Sequence, residues 1–293
     1  MTNHSLLLYH PLVIRWRHSS SLLLRCCCCG LLVVIALSSS LFLTITSRLN
    51  LVMQMPLVRV AVEGNLGAGK STFIEAMKEY AKRQRWEVMV EPIDSWTDVC
   101  GKGNLLDRYY KDMPRWGYTF QSYAYQSRLQ RQTELEMGLP MLGVDVVVYE
   151  RSCFSDRFVF GEAARMSGNM DELEFAAYSA AHKFFAEILQ RPFDIHGVIY
   201  LRATPKTCLE RVNKRSRSEE SSVDMEYLTT IHKLHEDWLM HKKGPCEQYP
   251  SMCKVPVLVV NVDEYNCEDV ARRREIFAEV DAFIKDQVIE VLF

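Results

Sequence analysis

The stretch Gly64-Asn65-Leu66-Gly67-Ala68-Gly69-Lys70-Ser71 decides how this chain is read. It fits G-x-x-x-x-G-K-[ST], the pattern of a phosphate-binding loop. Successive backbone N–H groups must wrap a polyphosphate, and glycines permit both the backbone angles and the close approach. Lys70 then stands as a point charge against the outer phosphates, and Ser71 offers a hydroxyl to Mg²⁺. The helix expected from Thr72 to Gln84 turns its positive end toward the same anion. Arg59-Val60-Ala61-Val62, ahead of the loop, reads as a buried strand. Strand, loop and helix together are the context the motif requires.

Working outward, Val88-Met89-Val90-Glu91-Pro92 reads as a second strand that ends in a carboxylate. Asn104 can cap a helix carrying Leu105, Leu106, Tyr109 and Tyr110. A long helix is expected from Tyr118 to Met137, ended by Gly138-Leu139-Pro140. Val144 to Tyr149 is a third strand that runs into Glu150-Arg151-Ser152. Helical patterns follow over 155–166 and 171–190. Val198 to Arg202 is a fourth strand, and Pro205 opens the next helix at its first turn. Leu228, Ile231, Leu234 and Trp238 mark another helix, Val257 to Val260 a fifth strand, and Asp269 to Leu292 a closing helix. Strands alternating with helices predict an α/β, P-loop three-layer sandwich: a five-stranded parallel sheet with helices on both faces. Ligands of such sheets bind beyond the carboxyl ends of the strands. Four strand ends carry chemistry: the phosphate loop, Glu91, Glu150-Arg151 and the Asp263 loop. The segment 244–254, with Cys246, Cys253 and two prolines, receives no role.

Composition narrows the class. Hydrophobic content of 48% over 293 residues is ample for a core, and the formal net charge is −2. No acid precedes Glu63. The 35 basic residues include Arg15, Arg17, Arg25 and Arg48, which leaves 31 against 37 acids after Met55, a net −6. A mildly acidic body argues against a nucleic-acid surface. Two domains are expected: a basic, hydrophobic extension over 1–55 and a catalytic body over 56–293. Cys26 to Ile45 carries no charge and is long enough to span a bilayer. By the positive-inside rule that would export an ATP-dependent body, so a membrane role for the body is disfavoured. A transit peptide, Arg- and Ser-rich and free of acids, and a translation start at Met53 or Met55 are the two leading readings. The compartment is accordingly mitochondrion or cytoplasm. The cysteines outside Cys26 to Cys29 show no C-x-x-C spacing, and reduced thiols are expected where ATP is available.

Several side chains point to phosphoryl transfer. Glu91 could accept a proton from a hydroxyl attacking a γ-phosphate, or be a surface acid. Glu150 suits Mg²⁺, and Arg151 suits charge developing on a transferred phosphoryl group; the bland alternative is a structural ion pair. Arg211, Arg215 and Arg217 form an arginine-rich segment that can close over phosphates as a lid, or be a solvated face.

The ordered set Glu63 to Ser71, Glu91-Pro92-Ile93-Asp94-Ser95-Trp96, Phe120-Gln121-Ser122-Tyr123, Glu150-Arg151-Ser152 and Arg215-Ser216-Arg217-Ser218-Glu219-Glu220 resembles the deoxyribonucleoside kinase family over residues 57 to 265. The resemblance implies transfer of a phosphoryl group from ATP, or another nucleoside triphosphate, to a deoxynucleoside 5′-hydroxyl. It implies Glu91 as general base, with Lys70, Arg151, Arg215 and Arg217 on phosphates, and Ser71 and Glu150 positioning Mg²⁺. Thr72 closes the donor loop. Tyr110 and Glu220 would hold the sugar 3′-hydroxyl. Gln121 would face the base edge, with the base stacked between Phe160 and Phe120, and with Trp96, Ile93 and Leu106 lining the pocket. Asp263-Glu264-Tyr265 matches the segment that contacts the donor base. Ala124, Arg128 and Asp156 are similar to the deoxycytidine and deoxyguanosine kinases rather than to members that accept thymidine. An Arg128–Asp156 pair offers donors and acceptors to an amino-bearing base and crowds a thymine methyl, or else is only structural. The family further implies a homodimer. Two other readings are a nucleoside monophosphate kinase, for which no acceptor-phosphate arginine occurs between Glu91 and Val99, and a nucleotide-binding subunit without turnover.

Overall fold

The structure, a computed structural model, describes residues 22–25, 32–35, 57–188, 194–220, 222–265 and 269–290. The chain divides into two units, Met1–Met55 and Pro56–Phe293. In the first, Leu22–Arg25 pairs antiparallel with Leu32–Ile35. Most of the Cys26 to Ile45 stretch, and with it the transit and membrane readings, lies outside the described residues. No helix among the described residues is long and apolar enough to cross a membrane.

In the second unit, β1 (Val58–Glu63), β2 (Trp86–Met89), β3 (Val146–Glu150), β4 (Gly197–Arg202) and β5 (Val257–Asn261) form one parallel sheet in the order β2-β3-β1-β4-β5. All six residues of β1 and all five of β3 are buried, as near-continuous apolar strands covered on both faces must be. Val62 is level with Glu150, and Met89 with Tyr149. That register brings the carboxyl ends of β1, β2 and β3 to one edge, where the phosphate loop, Glu91 and Glu150 emerge.

The helices pack in two layers. On one face α1 (Lys70–Gln84) meets the C-terminal α10 (Val270–Phe283), with Phe73 edge-on to Phe277 at 5.5 Å. On the other lie α4 (Met113–Leu142), α5 (153–166), α6 (Glu172–Ile188) and α8 (Met225–His235), joined by Tyr125–Tyr178 and, through the turn that extends α8, Phe158–Trp238 ring contacts. Shorter helices α2 (Ile93–Thr97) and α3 (Leu105–Lys111) stand over the sheet's carboxyl edge, and α7 (Pro205–Arg215) follows β4. Helix α5 starts at Cys153–Ser155, widens into a π segment at Asp156–Gly161, and resumes at Glu162–Met166. π segments of this kind often mark functional sites.

Most boundaries shift by a residue or two from the sequence expectation, and four of the differences have a clear physical cause or consequence. β2 ends at Met89, so Val90 and Glu91 leave the ladder; Val90 packs on the core and Glu91 lines the cleft. α1 begins at Lys70, two residues early, because Gly69 in a left-handed conformation caps it. α4 begins at Met113, where Asp112 accepts from the Arg115 N–H. It also continues through Gly138-Leu139-Pro140 to Leu142: Leu139 is buried in the core, and that anchor outweighs the N–H that Pro140 lacks. The segment 244–254, unread from sequence, folds as a turn and short helix α9 (Pro250–Lys254) that plugs the core. Its Tyr249 hydroxyl lies 3.0 Å from His182 Nδ1, and Cys246 and Met252 are buried.

Candidate active site

The phosphate loop is built by close backbone approach. A Cβ on Gly64 would lie 2.6 Å from the Leu201 carbonyl oxygen, and one on Gly67 only 2.4 Å from that of Cys208. Asn65 staples the loop to α8 through Nδ2 to the Leu228 carbonyl at 2.9 Å, while its Oδ1 accepts from the Leu66 N–H. Ala68 and Gly69 complete the turn, and Thr72 is exposed on the first turn of α1. Lys70 Nζ donates to the carbonyls of Gly64 (3.1 Å) and Asn65 (2.7 Å). Burial, and then the nearby Arg151 guanidinium, push its ammonium down to about 7. A polyphosphate would reverse that shift. ATP binding therefore takes up more proton at pH 8 than at pH 6. Calorimetry in buffers of different ionisation enthalpy reads this directly; equal uptake at both pH values would contradict it.

Beyond the loop, carboxylates and guanidiniums interlock. Ser71 Oγ donates to Glu150 Oε1 at 2.6 Å, and the Glu91 N–H donates to Glu150 Oε2 at 3.3 Å. The Glu91 carboxylate accepts from Arg128 at 2.8 Å and lies 3.1 Å from Arg151 Nε. Burial alone would raise the Glu91 carboxyl; the charges of Arg151, Arg128 and Lys70 outweigh it and hold the group at about 2. Arg151 also donates to the Gly64 carbonyl at 2.9 Å. Arg128, fully buried, grips Asp156 at 2.8 and 3.3 Å, Glu91, and the Glu150 carbonyl at 2.9 Å. The pair expected to read the base is thus also a brace for the expected proton acceptor. The two carboxylates keep Arg128 charged against the cost of burial.

These residues line one cleft at the carboxyl edge of the sheet. Leu66, Gly67, Lys70, Ser71, Glu150 and Arg151 form one end. Glu91, Ile93, Trp96, Leu106, Tyr110, Phe120, Gln121, Ala124, Arg128, Asp156 and Phe160 continue the lining, together with Glu220. Phe120 stacks on Tyr109 at 4.5 Å and meets Trp96 edge-on at 5.6 Å, while the Arg151 guanidinium lies 4.5 Å over Phe160. Tyr227 also lines the cleft and was not expected from sequence, because its place among Leu228, Ile231 and Leu234 reads as packing.

The arginine-rich segment is divided. Arg215 and Arg217 line the cleft and both bind Glu220, at 2.5 and 3.1 Å. Asn104 donates to Glu219 at 2.9 Å and latches this segment to α3. Arg211 faces elsewhere. Its guanidinium donates to the carbonyls of Val262 (2.6 Å) and Asp263 (3.3 Å), so it fastens the loop after β5 instead of facing the cleft. Asp263, Glu264 and Tyr265 lie on that loop, outside the cleft lining; Asp263 ties it to β4 by accepting from the Thr204 N–H at 2.8 Å.

Among the described residues no group of three or more His, Cys, Asp or Glu side chains could enclose a metal. A phosphate-bound Mg²⁺ needs no such cage. One hydroxyl and one carboxylate, as Ser71 and Glu150 supply, suit a cation that takes its other ligands from phosphates and water.

Comparison with known proteins agrees with this geometry. A family model described as deoxynucleoside kinase matches residues 60–285. The chain is 35% identical to deoxycytidine kinase 2 of Gallus gallus over 246 residues, covering 79% of this chain and 92% of that protein. It is 32% identical to the mitochondrial deoxyguanosine kinase of Xenopus laevis over 255 residues, 82% of this chain and 95% of that one. With deoxycytidine kinase of Homo sapiens it shares 34% over 221 residues, 70% and 84% of the two chains. A phosphate loop on a 2-3-1-4-5 parallel sheet, a cleft carrying Glu91 and Arg151, and this likeness over most of its length make the chain a member of the deoxynucleoside kinase family.

Proposed function

We propose that this kinase transfers the γ-phosphoryl group of ATP to the 5′-hydroxyl of deoxycytidine, deoxyadenosine or deoxyguanosine in preference to thymidine, in nucleotide salvage. The observation that carries the reading is the place of Glu91: its carboxylate stands at the cleft between the Arg151 guanidinium and Arg128, close enough to Lys70 to feel its charge. An alcohol held there has a proton acceptor on one side and the phosphate loop on the other. Lys70 and Arg151 offset charge on the phosphoryl group, and Arg215 and Arg217 exchange their Glu220 bonds for phosphate oxygens. Ser71 and Glu150 would hold Mg²⁺, which neutralises phosphate charge when bound. Gln121 and the Arg128–Asp156 pair read the base, Tyr110 and Glu220 the sugar. Arg211 supports donor binding indirectly, through the loop carrying Asp263, Glu264 and Tyr265.

We read the body, 56–293, as one catalytic domain acting as a homodimer. Exposed Met137 and Leu142 on α4, with Leu173, Phe184 and Ile188 on α6, give neighbouring helices an apolar face suited to a second copy. The acidic body supports no nucleic-acid partner. Mitochondrion and cytoplasm remain the two compartments consistent with a basic, acid-free residues 1–55. The test is an acceptor panel: ATP and Mg²⁺ with each deoxynucleoside, and separately each monophosphate. The expected result is conversion of deoxycytidine and the purine deoxynucleosides, with thymidine far behind. Turnover of monophosphates alone, or thymidine as the best acceptor, would reject the reading.

A further inference from the structure

Glu63 has no role in the chemistry above, yet it sits beneath the centre of the site. It is the last residue of β1, directly before Gly64, and is fully buried. Its Oε1 accepts the Ser152 hydroxyl proton at 2.7 Å, the Ser155 hydroxyl is near enough to favour the charged carboxyl, and its Oε2 has no well-formed hydrogen bond among the described residues. Burial pushes the carboxyl up to about 7, against the pull of Arg151. Burying an acid with one oxygen unmatched costs stability, so packing does not account for it.

What Glu63 holds is the turn that carries Arg151. Arg151 has φ of 66°, left-handed backbone that a side chain with a Cβ adopts only where its surroundings enforce it. Two successive residues of β1 hold two successive residues of the turn. The Val62 carbonyl accepts from the Arg151 N–H at 3.0 Å, and the Glu63 carboxyl accepts from Ser152. Ser152 in turn caps α5, its Oγ accepting from the Ser155 N–H, while Ser155 Oγ donates to the Ser152 carbonyl at 2.8 Å. With the turn fixed in this way, the Arg151 side chain spans Glu91 and the Gly64 carbonyl.

We propose that Glu63 is a positioning residue for phosphoryl transfer: through Ser152 it holds the left-handed turn that aims the Arg151 guanidinium between Glu91 and the phosphate loop. The proposal rests on the role given to Arg151 above. The bond needs an acceptor at Oε1 and no charge, so glutamine serves where alanine does not.

The test compares Glu63→Ala, Glu63→Gln, Ser152→Ala, the Glu63→Ala/Ser152→Ala double variant and Arg151→Ala. It measures kcat, both KM values, and amide exchange over residues 150–155 by mass spectrometry. Misplacing Arg151 is expected to lower kcat by about 10- to 100-fold in Glu63→Ala and in Ser152→Ala, with KM values within about threefold of wild type. The double variant falls no further than the worse single one, and Glu63→Gln recovers most of the loss. Amides of Arg151 and Ser155 exchange faster in Glu63→Ala than in Glu63→Gln. Should Glu63→Ala not fold, Ser152→Ala against Glu63→Gln carries the same contrast. Wild-type kcat in Ser152→Ala, or equal losses in Glu63→Ala and Glu63→Gln, overturns the proposal. Wild-type kcat in Arg151→Ala overturns the role of Arg151 and the proposal with it. A loss in Arg151→Ala beside wild-type kcat in Glu63→Ala overturns the proposal alone.

Discussion

Glu91→Gln lowers kcat by about 10²-fold or more while leaving ATP affinity within about threefold of wild type. The amide keeps an oxygen for Arg128 and Arg151, so the two guanidiniums stay in place. What it loses is the ability to take a proton. A carboxyl held at about 2 is a weak base, which conflicts with the role only if the hydroxyl must lose its proton early. In a loose phosphoryl-transfer transition state the proton leaves late, when the attacking oxygen is already acidic. The carboxylate then needs to be ionised and correctly aimed rather than strongly basic. It follows that Glu91 adds no acid limb to the rate profile between pH 5 and 8. Rapid-quench turnover with saturating ATP measures the effect. A variant with near-normal kcat would remove Glu91 from proton transfer.

The double variant Arg128→Met/Asp156→Ala raises the thymidine-to-deoxycytidine ratio of kcat/KM by about 10²-fold or more, below the roughly 10⁴-fold ceiling of hydrogen-bonded selection. The geometry adds a second effect. Because Arg128 also braces Glu91 at 2.8 Å, kcat on deoxycytidine falls in the same variant. The two effects separate in a competition assay, where the ratio is independent of the common loss. Arg128→Met alone leaves Asp156 buried without its partner, a change that typically costs ~3–5 kcal/mol, and it lowers the melting temperature more than the double change does. An unchanged ratio in the double variant would make the pair purely structural.

Much of this site is legible in the sequence because its residues cluster at strand ends. Once Val60 to Val62, Val88 to Val90 and Val146 to Tyr149 read as strands of one parallel sheet, the loop at Gly64, Glu91 and Glu150-Arg151 must share one edge of it. Direction is less legible. Arg211 and Arg215 are one helical turn apart on α7, yet one fastens the β5 loop while the other faces the cleft with Glu220. Charge density along a segment does not say which partner each guanidinium finds. Tyr227 is hidden by the apolar spacing of α8. Gly138-Leu139-Pro140 carries local stop signals that the burial of Leu139 overrides. The double duty of Arg128 depends on tertiary geometry that no spacing encodes.

The most direct measurement is a structure of the kinase with deoxycytidine and a non-hydrolysable ATP analogue. The 5′-hydroxyl is expected within hydrogen-bonding distance of the Glu91 carboxylate and in line with the γ-phosphorus above Lys70. A deoxynucleoside whose 5′-hydroxyl lies out of reach of Glu91, with that carboxylate still closed on Arg128 and Arg151, would contradict the account.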